Sequence, residues 1–255
     1  MGSMIPLLLI VAALAFEQDN PRLTFEVASI KPTKPGGRGG GIKALPGGQE
    51  YRTEGAPVKL MISLMYKVPM RQISGGPDWI NTDGWDISAK ADKSYNLDDL
   101  HTMFQNMLAD EFKLKFHKEI REGPVYALSV DKAGLKMKVN ESPQDFEIPV
   151  KGGGGGVTVG TRVPMEYLTW FLGQVLQREE RPVINRTGLT GNYDFTLSFA
   201  PELPPGFPKE NLPAGFLDRP NIFDALRQQL GLRLDAQKGP VEYYVIDSVE
   251  KPAAN

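Results

Sequence analysis

GPVYALSV stands at residues 123–130, and GPVEYYVI stands at 239–246. The same Gly-Pro pair and strand-like run are written twice, far apart in the chain. Upstream lie LKFHKEIRE (114–122) and LRLDAQK (232–238), where Leu114, Phe116, Leu232 and Leu234 alternate with charged residues. Alternation on both sides of a turn-forming pair is a hairpin signature, so each copy predicts a β-hairpin turning at Gly-Pro. Val125–Val130 is then equivalent to Val241–Ile246.

The correspondence extends outward. Each expected hairpin follows an amphipathic helix. Leu97–Asp110 carries a stripe of Leu97, Leu100, Phe104, Met107 and Leu108 behind an Asn96 cap, and Ile222–Leu230 lies behind Asn221. Further back, GWDISAKA (84–91) answers NYDFTLSFA (192–200), with Trp85-Asp86 aligned to Tyr193-Asp194. PVKLMISLMYKV (57–68) answers PMEYLTWFLGQVL (164–176), each opened by a proline suited to a helix start. FEV (25–27) and FEI (146–148) hold matching places. The common order is strand, helix, strand, helix, strand, strand. It predicts an α+β fold made of an internally duplicated unit, each copy an antiparallel sheet with two helices packed on one face. The first repeat spans 23–140, a Gly-rich linker 141–156 and the second repeat 157–252, with a sheet or helix layer shared between the copies.

Composition narrows the function classes. A chain of 255 residues with formal net charge −2 offers no electrostatic footprint for nucleic acid. Cys is absent, which removes disulfides, thiolate nucleophiles and sulfur-bound zinc. Ile5 to Phe16 is an apolar run too short to span a bilayer, which needs about 20 residues. It ends in Ala13-Leu14-Ala15, the small-x-small pattern of a signal-peptide cleavage site. Residues 1–15 therefore read as a signal peptide, and the protein is expected to be periplasmic or secreted, with no stable membrane insertion after cleavage.

Five blocks carry a resemblance: FEVASIKP, ISGGPDW, LADEFKLKFHKEIREGPVYALSV, TGLTGNYDFTL and GPVEYYVIDSVEKP. In that order they resemble the soil-associated protein family of unknown function that is abundant in acidobacterial genomes. The resemblance implies exported proteins, sometimes joined to a membrane metallopeptidase of the antibiotic-sensor type, with no established activity. Before TGLTG the family commonly has an Asp where this chain has Asn185, which weakens any mechanism that needs a carboxylate there.

Catalytic constellations are sparse. The chain has two histidines. His117 falls on the polar side of an alternating strand, and His101 flanks a helix stripe. There is no paired-His metal motif, no calcium loop and no G-x-S-x-G elbow, so neither a metal nor a cofactor is expected. Strand-like residues follow the glycine tracts at 36–41 and 152–156, which therefore read as connections and not as phosphate cradles. The most informative unrepeated stretch is RQISGGPDWINTDGWD (71–86). Its Gly-Gly-Pro turn presents Trp79, and Arg71, Asp78 and Trp79 are the candidate ligand contacts. The reading is a non-enzymatic binding module for an envelope protein, peptide or glycan. Two alternatives stand beside it: an envelope hydrolase or metal-dependent enzyme using His117 or His101 with Asp86 or Asp194, and a sensor domain working with a membrane metallopeptidase.

Overall fold

A computed structural model describes residues 22–34, 41–143, 146–153, 157–200, 203, 208, 212 and 215–253. Residues 1–15, read from sequence as a signal peptide, most of both glycine tracts and much of the Pro-rich stretch 201–220 lie outside the described residues. The first half runs β1 (Val27–Pro32), β2 (Gly41–Ala44), β3 (Glu50–Pro57), α1 (Val58–Met65), β4 (Ile73–Gly75), α2 (Trp79–Thr82), β5 (Gly84–Lys90), α3 (Leu97–Glu111) and β6 (Lys115–Val130). The second runs β7 (Lys138–Val139), β8 (Val150–Gly152), β9 (Val157–Pro164), α4 (Met165–Val175), β10 (Val183–Asn185), β11 (Asn192–Ser198), α5 (Ile222–Ala225) and β12 (Leu232–Ser248).

The fold is mixed α+β, and its strands form three four-stranded sheets. The first half builds an antiparallel sheet of order β1-β5-β3-β2, and the second builds one of order β7-β11-β9-β8. The third sheet, β10-β6-β12-β4, draws strands from both halves. Its central pair is antiparallel, and each outer strand runs parallel to its neighbour. Within 141–156, read from sequence as a linker, β8 pairs with β9. FEI at 146–148 is not a strand, and Phe146 packs on the core of the first half.

Local chemistry sets the helices. Pro57 and Pro164 stand at the N-caps of α1 and α4 in extended conformation. The Asn96 side chain accepts the Asp99 N–H at 2.9 Å, and Asn221 accepts that of Asp224 at 2.9 Å. Each caps a donor with no intrahelical partner, worth about 1 kcal/mol. α3 buries the expected stripe, including Leu97, Leu100, Phe104 and Leu108. α5 continues as a π-helical turn over Leu226–Leu230 and stops at Gly231, φ +68. A Cβ there would lie 1.9 Å from the Gly134 carbonyl oxygen, so only glycine fits.

The hairpins expected at Gly-Pro do not form. Each segment is one continuous strand, and the two strands pair with each other: Gly123 faces Gly239, with seven residue pairs on one side to Val130–Leu232 and seven on the other to Phe116–Ile246. Proline survives here because of where its missing donor points. The Tyr126 N–H is donated to the Pro182 carbonyl, away from β12. Residue 124, two positions back, faces the same side, so Pro124 removes no bond from the central ladder. Two distant strands satisfy each other's backbone, and no turn is needed.

This pairing ties two cores together. One core gathers α1, α3 and the first sheet, and the other gathers α4, α5 and the second. β6 leaves the first core at Phe116 and enters the second at Tyr126 and Leu128, while β12 runs from Leu232 in the second to Tyr244 and Ile246 in the first. Between the cores lies a waist where Ile120, Glu122, Pro124, Lys238, Pro240 and Glu242 are exposed.

The facing glycines have different surroundings. A Cβ on Gly123 would sit 3.4 Å from Val241 Cγ2, whereas one on Gly239 would meet Val125 Cγ2 at 3.1 Å and Ile184 Cδ1 at 3.3 Å. Gly239→Ala is expected to cost about 1–3 kcal/mol through overpacking. Gly123→Ala should be near neutral, its contact offset by about 0.4–1 kcal/mol from a stiffer unfolded chain. Urea denaturation of both variants checks the ordering.

Candidate functional site

At the waist, the segment after α1 (66–72) approaches the segment after α4 and strand β10 (177–185). Two adjoining cavities of about 540 and 500 Å³ open there, and both are lined by Pro69, Gln72, Pro182 and Val241. Each falls in the size range of small-molecule sites, about 300–1,000 Å³. Arg71, Glu180 and Tyr243 line the first lobe; Tyr66, Glu166 and Trp170 line the second.

Unpaired polar atoms concentrate in this cleft. Among the described residues, seven buried side-chain nitrogen or oxygen atoms lack a hydrogen-bond partner, and four belong to cleft residues: Arg71 Nε and Nη2, Gln72 Oε1 and Trp170 Nε1. A buried polar atom left unpaired costs about 1–3 kcal/mol, so such clustering calls for an explanation. The remaining geometry holds these side chains in place. Arg71 Nη1 donates to the Gln177 carbonyl at 3.4 Å, and Gln72 Nε2 donates to the Glu242 carbonyl at 2.6 Å. Burial pulls the Arg71 pKa down, opposed by the negative charge of Glu180.

Of the three residues singled out from sequence, Arg71 lines the cleft and the other two do not. Asp78 is exposed ahead of α2. Trp79 packs against the first core, edge-on to Trp85 at 6.4 Å between ring centroids, with Lys251 Nζ 5.5 Å from its ring. Gln72, Trp170 and Glu180 carried no sequence signal. They come together only because β6 and β12 pair.

The histidines sit in opposite environments. His101 is buried, with Nε2 3.1 Å from the Tyr51 hydroxyl and Nδ1 unpaired. Burial, with Lys67 adding to it, lowers its pKa from 6.5 to about 4. His117 is exposed, with Nδ1 2.7 Å from Asp247 and Nε2 3.2 Å from Glu119, and these two carboxylates raise its pKa. Neither histidine meets Asp86 or Asp194. Those two carboxylates instead hold bulges: Asp86 accepts the Gly55 N–H at 2.8 Å, and Asp194 accepts the Arg162 N–H at 2.8 Å. Gly55 and Arg162 are both left-handed, φ 63° and 50°, each where its strand slips register. Asn185 Oδ1 accepts from the Thr187 N–H at 3.0 Å and from its hydroxyl at 2.8 Å, closing a turn that an Asp would close equally. Among the described residues, no group of three or more His, Asp or Glu side chains is placed to hold a metal ion, and no helix is long and apolar enough to cross a membrane.

Residues 59–249 match the family model described as a protein of unknown function, DUF3738. The chain belongs to that family. No curated protein and no solved structure matches it. The match begins inside α1 and ends just beyond β12, so the family's unit includes the central pair and the cleft.

Two measurements follow from this geometry. In an NMR titration His101 should titrate near 4 and His117 above 6.5. Below pH 6.5 the unfolded chain binds a proton that native His101 refuses, so His101 lowers stability as pH falls from 6.5 towards 4. Trp79→Ala should cost about 1–3 kcal/mol in thermal or urea unfolding, more than the roughly 0.5 of a surface change and less than the loss at a fully buried Trp.

Proposed function

We propose that the protein is an exported, non-catalytic binding module of the cell envelope in a soil bacterium, with its ligand site in the waist cleft. The four unpaired polar atoms on Arg71, Gln72 and Trp170 carry this reading, because a ligand with complementary groups relieves their cost. Export rests on the leader at 1–15. Against an enzymatic role, His101 is committed to the core beside Tyr51, and Asp86 and Asp194 are committed to their bulges. A cleft that brings elements of both halves together also suits a sensor that reports occupancy to a membrane partner.

We further infer that the two halves are copies of one unit around a pseudo-twofold axis through Gly123 and Gly239. Three pairings support this: the sheet orders β1-β5-β3-β2 and β7-β11-β9-β8, the matched bulge carboxylates Asp86 and Asp194, and the matched caps Asn96 and Asn221. On this view each half lends a short strand to the other half's long strand, β4 to β12 and β10 to β6.

The test is thermal unfolding in the presence of the low-molecular-weight fraction of a bacterial envelope extract. Wild type should gain thermal stability, since a ligand bound to the native state alone stabilises it. Arg71→Gln should gain none. An equal rise in both proteins, or none in wild type, would overturn the cleft as the site.

A further inference from the structure

We infer that the cleft takes a short peptide by its free C-terminal carboxylate, an assignment that rests on the waist cleft being the ligand site. Arg71 supplies two unpaired, buried N–H groups, Nε and Nη2. A planar guanidinium edge matches a carboxylate in bidentate geometry. Phosphate would fit that edge too, but the surrounding charge argues against it. Lys67 in the second lobe is paired with Asp98 at 3.0 Å, which leaves Arg71 as the unpaired cation lining the cleft among the described residues. Three exposed carboxylates line the lobes as well: Glu242, paired with Lys118 at 3.1 Å, and Glu180 and Glu166. A doubly charged anion meets net repulsion there, whereas a zwitterion is complementary at both ends.

The polar pattern orders the peptide. With its carboxylate on Arg71 in the first lobe, the chain passes Gln72, which lines both lobes and has a free acceptor in Oε1. A backbone N–H is the donor that a peptide offers at that point, and a backbone carbonyl offers Trp170 Nε1 its missing acceptor. The terminal ammonium then reaches Glu166. Tyr66, Trp170 and Tyr244 give the second lobe an aromatic wall for an apolar side chain. A neutral glycan offers hydroxyls but no anionic end for Arg71, so it leaves the most costly pair unmet.

The experiment uses the full chain and a defined pool of tripeptides with apolar and aromatic residues, in free, C-amidated and N-acetylated forms, followed by calorimetry. Free tripeptides should bind, C-amidation should weaken binding about tenfold or more, and N-acetylation should weaken it less. Arg71→Gln should abolish the difference between free and amidated forms. Glu166→Gln, at an exposed position that leaves the fold intact, should abolish the difference between free and acetylated forms. Equal binding of free and amidated peptides, tighter binding of inorganic phosphate, or no peptide binding at all would overturn the assignment. If the extract still stabilises wild type and not Arg71→Gln while no peptide binds, the cleft stands and only the ligand class falls.

Discussion

The fold depends on one ladder. β6 and β12 pair along nearly their whole length with Gly123 against Gly239 at the middle, and every other part of the structure hangs from that ladder. Each end of the pair is roofed by one half's helices, and each long strand serves both cores. Neither half can complete its hydrophobic core alone, because Tyr244 and Ile246 of the second half close the first core and Tyr126 and Leu128 of the first half close the second. Removing either strand leaves a core open along one wall. The halves are therefore expected to unfold as one cooperative unit, although each has a sheet of its own.

The same ladder creates the cleft. Strands long enough to reach two cores leave a stretch between them that neither helix layer covers. Small and proline residues suit that stretch: a large side chain at 239 would strike Val125 and Ile184, and the ring nitrogens of the prolines face away from the ladder. The segments after α1 and α4 close over this floor and bring Arg71 and Gln72 from one half beside Gln177 and Glu180 from the other. A cleft assembled from both halves exists only when the ladder is formed.

Much of the fold was legible from sequence, and the failures have physical causes. Helix positions and caps were readable because Asn96 and Asn221 use local chemistry, with each side chain bonding an N–H three residues ahead. The alternation at 114–122 and 232–238 correctly marked strands. What misled was Gly-Pro. The same two residues that favour a turn are tolerated in a strand whose proline faces away from its partner, and the partner lies over a hundred positions away, beyond any local window. The short strands β4 and β10 were invisible because each has three residues and gains its order from a neighbour in the other half. For the same reason only Arg71 of the cleft was found. Trp170 and Gln72 have ordinary surroundings in sequence and acquire meaning only through the pairing of β6 with β12. Trp79, on its turn, is half-buried, with its ring edge-on to Trp85.

The two carboxylates first considered for catalysis show how a polar residue can be fixed by backbone geometry alone. A left-handed residue in a bulge turns its N–H out of the ladder, and that donor needs an acceptor from the neighbouring strand. Asp86 and Asp194 stand at the right register and each accepts one such N–H at 2.8 Å. Gly55 adopts the left-handed conformation freely, whereas Arg162 does so at a steric cost of roughly 1–2 kcal/mol. The carboxylate in the second half thus holds a conformation that its own chain disfavours. Asp194 also accepts two bonds from Asn140 at 2.9 Å, which ties the segment after β7 to the same point. A side chain with this many fixed donors is spoken for. Among the described residues, most of the buried side-chain polar atoms that are still unpaired lie instead at the waist.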